Sequence, residues 1–166
     1  MKSIHRVRTL ALDPTTPGFA FAALEGSGHL VDWGLVHMAA QDAAAYRSRV
    51  EKLLDRVNPQ VLVVEDMSDS RRGGRAPRRA DIAEKCARAR GIAVKRVSRA
   101  DVKQMFAASG TTKWEIAVAV SRFFPELSPS LPKKRRIWET EDRRMAIFSA
   151  ASFALTFLRT RGAEKR

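Results

Sequence analysis

The sequence predicts an α/β protein: one mixed five-stranded sheet with helices on both faces. Three observations carry this. Three strand-like runs come first, over 6–12, 18–24 and 29–36. An apolar run over 61–64 and a further strand over 92–97 then alternate with stretches of helical periodicity. The resulting order, βββαβαβααα, suits a mixed sheet with helices on both faces.

The elements follow in order. The Gly26-Ser27-Gly28 turn joins the second and third runs as a hairpin. Residues 43–57 read as a helix with Val50, Leu53, Leu54 and Val57 on one stripe, ended by Asn58-Pro59. VLVV at 61–64 has the continuous apolar character of a central strand buried on both sides. A loop rich in Ser, Arg and Gly spans 68–78, and a helix runs over 79–90 to Gly91. Helices follow at 100–107 and 113–124, then a loop at 125–132 and a long final helix at 139–159. One domain over 1–160 with a basic tail at 161–166 accounts for the 166 residues.

Composition narrows the partner. Hydrophobic residues make up 45%, enough for a folded core, and 31 Lys and Arg against 18 Asp and Glu give a net charge of +13. That excess points to a polyanion, nucleic acid first. No membrane partner is expected, because no run is long enough to span a bilayer and no basic amphipathic helix stands alone. Cys86 is the one cysteine, which excludes an intramolecular disulfide and a multi-cysteine zinc site, and it reads as a packed core thiol. His5, His29 and His37 lack metal-ligand spacing. Arg6 and Arg8 interrupt the N-terminal region, so no signal peptide is expected and the cytoplasm is the expected location.

Two acids stand out. Asp13 ends the apolar run Leu10-Ala11-Leu12, and Pro14 then stops the ladder because it has no N–H. Glu65 ends Val61 to Val64 in the same manner. A buried carboxylate requires a cation, a basic side chain or a raised pKa. A divalent ion satisfies both acids together, and hard oxygen donors suit Mg²⁺ or Mn²⁺. The simpler alternatives are a turn-opening role for Asp13 and an Arg partner for Glu65. A third acid is expected from the start of the last helix, where Glu139, Glu141 and Asp142 lie. Asp142 shares a stripe with Ala146, Ser149, Phe153 and Thr156. Acids there also favour the helix dipole unaided.

Two basic clusters flank these acids. Arg71, Arg72, Arg75, Arg78 and Arg79 surround Gly73-Gly74, and Lys133, Lys134, Arg135 and Arg136 precede the final helix. Arginine forks beside a metal site can clamp a phosphate backbone. Trp138 follows the second cluster and has the chemistry to stack on an unpaired base, although core or edge packing is the ordinary fate of Trp138 and Trp114.

In this order the residues resemble the RuvC-type Holliday junction resolvases of the RNase H-like superfamily. The carriers are Asp13-Pro14-Thr15 after the first strand, Glu65 at the end of the fourth, and VKQMFAASGTTKWEIA with Val102, Lys103, Gly110 and Lys113. The acid-bearing helix EDRRMAIFSAASFAL completes the set. The resemblance implies an RNase H-like fold and a dimer acting on branched DNA, cut by two-metal hydrolysis. It also implies Asp13 bridging two ions, Glu65 and Asp142 binding one each, and Lys113 and Lys103 at the phosphate. Three departures stand against the family pattern. Thr15 and Ala20 replace glycines, and the last helix has Met145 or Ser149, depending on register, where a second acid is usual. The third ligand stays open among Asp142, Glu141, Glu139 and a water at Ser149. Two further readings remain: a non-catalytic nucleic-acid-binding protein on the same fold, and an RNA-directed nuclease of the YqgF type.

Overall fold

The computed structural model describes residues 6–15, 18–39, 42–68 and 75–164, with backbone alone at 75–77 and 163. Five strands form one sheet: β1 (Arg8–Thr15), β2 (Gly18–Glu25), β3 (His29–His37), β4 (Val61–Glu65) and β5 (Ala93–Val97). Their order is β3-β2-β1-β4-β5. β1–β2 and β2–β3 pair antiparallel, whereas β1–β4 and β4–β5 pair parallel, so the sheet is mixed as predicted. The helices are α1 (Ala43–Val57), α2 (Arg75–Ala89), α3 (Arg99–Met105), α4 (Lys113–Phe123) and α5 (Met145–Glu164). A 3₁₀ segment, Pro125–Ser130, occupies most of the predicted loop before α5.

Local chemistry sets the ends. Asp42 caps α1 by accepting from the Ala45 N–H, and Asn58 closes it in the left-handed region at φ 49°. Gly18 opens β2 at φ 141°, where a Cβ would run into the Val36 carbonyl. All five residues of β4 are buried, as a strand covered on both faces requires.

Alternation along the strands divides the core in two. Leu10, Leu12, Leu62 and Val64 pack with Tyr46, Val50 and Leu54 of α1 and Ala83 and Ala87 of α2. Ala11, Val63 and Val97 pack with Phe148, Ala151, Phe153 and Leu155 of α5 and with α4. Small residues on both sides, Ala20 and Ala22 facing Ala150, Ala151 and Ala154, suit the close lie of α5 on β1 and β2.

The last helix departs from expectation. It starts at Met145 rather than 139 and runs to Glu164, taking in most of the predicted tail. The cause is local. The Asp142 carboxylate accepts from the Arg144 N–H at 2.9 Å, a bond of the kind that marks a helix start, so the helix begins after Asp142 and not before it. The chain then enters α5 through i to i+3 bonds from Met145, Ala146 and Ile147. Glu139, Glu141 and Asp142 therefore lie in the segment before α5, not on its stripe.

Candidate functional site

Parallel pairing sets Ala11 of β1 beside Val63 of β4, both facing the α5 layer. Asp13 and Glu65 lie one pleat repeat further on the same face, at the ends of neighbouring strands. Each is 5% exposed. In the β4–β5 register Glu65 is opposite Val97, where β5 ends. Ser98 caps α3 with a reciprocal Ser98–Asp101 capping box, which makes Arg99 the first helical residue, directly above Glu65.

Arg99 uses this position fully. Its Nε donates to Glu65 Oε1 at 2.9 Å and its Nη2 to Oε2 at 3.4 Å. Nη1 reaches Ser149 Oγ of α5 at 3.5 Å, and the guanidinium lies 5.2 Å from the Phe153 ring centre. One arginine thus ties β4, α3 and α5 together. Sequence reasoning missed it, although the signal was present: a parallel partner for Glu65 ending in Val97, then a Ser cap, leads to residue 99.

A cleft of about 230 Å³ opens here, lined by Asp13, Arg99, Lys113, Glu141, Asp142 and Ser149 among others. Lys113 sits at the start of α4 and pairs with Glu141 at 3.2 Å. Asp142 accepts from Arg144 Nε at 3.0 Å and Nη2 at 2.7 Å, and these bonds hold its carboxyl below the usual aspartate range. Lys103 is exposed on α3 and lines an adjoining cavity of about 360 Å³ together with Arg99 and Lys113.

The donor set can be tested against the two-ion site implied by the resemblance. A hard divalent ion needs several oxygens converging on one point. Here Arg99 holds both Glu65 oxygens, Arg144 holds Asp142, and Lys113 holds Glu141. The cleft-facing positions of α5 carry Ala146 and Ser149. Among the described residues, no group of three or more His, Cys, Asp or Glu is disposed to hold an ion. As folded, these residues do not fit a two-ion centre: a guanidinium stands on Glu65 where a metal would have to bind.

The basic clusters separate. Arg71 and Arg72 lie outside the described residues, and Arg75 opens the backbone of α2. Arg78 is exposed. Arg79 is 7% exposed and turned inward: it donates to the carbonyls of Thr15 and Gly18 and lies over the Tyr46 ring. Its guanidinium fastens the β1–β2 hairpin and is not presented to a ligand. Burial also pushes the Tyr46 hydroxyl well above the usual tyrosine range. Lys133, Lys134, Arg135 and Arg136 are all exposed. Trp114 is half-buried, whereas Trp138 is 75% exposed, against the expectation of packing. Cys86 is buried, with its thiol pKa raised by that burial. Among the described residues no helix is long and apolar enough to cross a membrane.

No protein-family model matches this sequence, and no curated protein sequence matches it. Solved structures do. RuvC of Thermus thermophilus superposes with a TM-score of 0.66 at 21% identity, covering 95% of this chain and 97% of that one. The same organism's RuvC in complex with a Holliday junction substrate gives 0.67 at 20% identity, covering 95% and 96%. The yeast mitochondrial Holliday junction resolvase gives 0.58 at 12% identity, covering 99% and 83%. The order of elements, the mixed sheet and these superpositions agree: the chain has the RNase H-like fold seen in the RuvC-type Holliday junction resolvases.

Proposed function

We propose that this protein binds branched DNA on a resolvase scaffold and holds its acid cleft in a form that does not cleave. One observation carries this reading: Arg99 occupies both oxygens of Glu65, with Ser149 rather than an acid facing it from α5. DNA as the partner is supported by the +13 charge and by the exposed run Lys133–Arg136. A structural neighbour solved with a Holliday junction adds to that support. A symmetric junction suits a homodimer.

A second reading, a Mg²⁺- or Mn²⁺-dependent junction endonuclease, is favoured by Asp13, Lys113 and Asp142 sharing the cleft. It requires Arg99 to leave Glu65. An RNA-directed nuclease of the same fold is the third.

Fluorescence anisotropy with labelled four-way junction, duplex and RNA–DNA hybrid tests the partner. Junction binding tighter than duplex binding is expected, weakening steeply with salt, by close to one power of salt concentration per phosphate contacted. Equal affinity for all three refutes branch selectivity, and preference for the hybrid favours the RNA reading. Sedimentation tests the dimer. Incubation of the same substrates in Mg²⁺ and Mn²⁺ separates holding from cutting.

A further inference from the structure

Ile137 and Trp138 are 97% and 75% exposed, and no other large apolar side chain among the described residues exceeds 46%. They are consecutive, and they form the corner of a closed turn. The Glu139 N–H donates to the Arg136 carbonyl at 3.0 Å. The Glu139 carboxylate accepts from the Arg136 N–H at 2.9 Å, and Arg135 Nη1 donates to the Glu139 carbonyl at 2.9 Å. The base of the arm is tied down as well: Trp114 Nε1 donates to the Pro132 carbonyl at 3.4 Å, and Lys134 lies 5.6 Å from the Trp114 ring centre. Arg136 lies 5.6 Å from the Trp138 ring centre.

An apolar tip on a fixed cationic arm restricts what it can meet. Two side chains on a projecting corner are far too small for a stable protein interface, which takes about 800 Å² per partner. Lys133, Lys134, Arg135 and Arg136 lead directly into the tip, so the same arm of a second copy is repelled from it and a polyanion is attracted. Base faces are the apolar surface that a polyanion offers. In continuous duplex they are stacked and closed, and at a branch point the stack is interrupted. Aromatic side chains stack on such bases, and aliphatic ones wedge between base steps. The arm also adjoins the acid cleft. Lys113, Glu141 and Asp142 line both that cleft and the cavity of about 690 Å³ beneath the arm, beside Trp114 and Arg135. The cavity thus joins Lys113 to Lys133, Lys134 and Arg135 of the arm that carries the tip.

We infer that the Ile137–Trp138 corner is a wedge that enters the open base step of branched DNA, Trp138 stacking on a base and the flanking cations holding the phosphates. The inference rests on the DNA-binding reading above.

The test uses the full chain with a four-way junction carrying 2-aminopurine at the crossover, and a second junction with the probe within an arm. Wild type is expected to change the fluorescence at the crossover and not in the arm. Trp138→Ala, at an exposed site, is expected to keep the wild-type melting temperature and to bind the junction roughly tenfold more weakly, the equivalent of one lost stacking contact. At saturation it gives no crossover signal, and Trp138→Phe restores part of it. Duplex affinity stays unchanged. A Trp138→Ala protein that saturates the junction with the full crossover signal overturns the wedge while leaving DNA binding intact. Conversion of a dimer to a monomer by Ile137→Ala/Trp138→Ala overturns it in favour of self-association. Failure of wild type to bind any DNA overturns the wedge together with the reading beneath it.

Discussion

Arg99 stands between Glu65 and Ser149, bonded to the carboxylate at 2.9 and 3.4 Å and to the hydroxyl at 3.5 Å. The Glu65 side chain is 3% exposed and that of Arg99 is 29% exposed, so the pair is dry on the acid side and wet on the basic side. A carboxylate in such a position is stable because the guanidinium replaces its lost water.

Removing the arginine alone leaves that charge buried. Arg99→Ala is expected to destabilise the fold by about 3 kcal/mol, the low end for breaking a buried pair because Arg99 keeps some contact with water. Arg99→Met with Glu65→Leu removes both charges and is expected to recover most of the loss. Urea unfolding measures both. A change under about 0.5 kcal/mol in Arg99→Ala, the range of ordinary surface substitutions, would mean the pair has no structural weight.

If the guanidinium stands in for a cation, a cation should be able to replace it. The double variant Arg99→Ala/Ser149→Asp removes the guanidinium and adds a carboxylate on α5, so that an ion can draw on Asp13, Glu65 and the new acid together. Saturating Mn²⁺ at 100 times its dissociation constant stabilises by about 2.7 kcal/mol, or roughly 5 to 10 °C in melting temperature at this size. Wild type is expected to shift by less than a degree under the same conditions, as followed by circular dichroism. An equal shift in both proteins contradicts the substitution of guanidinium for metal.

Arg78 and Arg79 are adjacent in sequence and opposite in role. Arg79→Ala strips charged donors from the Thr15 and Gly18 carbonyls and uncovers Tyr46, at an expected cost of about 2 to 3 kcal/mol. Arg79→Lys lacks the planar fork and is expected to recover less than half. Arg78→Ala leaves the melting temperature unchanged. Thermal melts of the three variants make the comparison, and equal melts for Arg78→Ala and Arg79→Ala would remove the hairpin role.

The Asp142–Arg144 clip carries a pH signature. Arg144 holds the folded-state pKa of Asp142 below its ordinary value. The carboxylate therefore contributes stability that is fully present above the unfolded value, about 3.9, and is lost as pH falls through the lower folded value. Wild type should melt above Asp142→Asn at neutral pH, with the gap constant down to about pH 5 and closing below pH 4. A gap that persists undiminished at the lowest pH would assign it to packing rather than charge.

Much of this architecture is legible in the residues. The α1 boundaries follow from its apolar stripe and Asn58-Pro59, and the mixed sheet follows from the hairpin and the alternation of strands with helices. The delivery of two acids by β1 and β4 is written in the apolar runs before them. What is not legible depends on tertiary neighbours. Whether Glu65 meets a metal or an arginine turns on where Arg99 falls relative to β4, a matter of strand register. The start of α5 turns on a single Asp142 side chain, which takes the Arg144 N–H and so sets the helix start after 142. Burial separates Arg79 from Arg78, and no charge pattern encodes it.

The deciding experiment is a cleavage assay on labelled four-way junction in Mg²⁺ and in Mn²⁺, with wild type at concentrations that saturate binding and Asp13→Asn alongside. The predicted result is a bound junction that stays intact in both metals and is indistinguishable from the Asp13→Asn reaction. Metal-dependent cutting by wild type that disappears in Asp13→Asn would contradict it, and would make Arg99 a removable guard on a working nuclease rather than a resident in place of its metal.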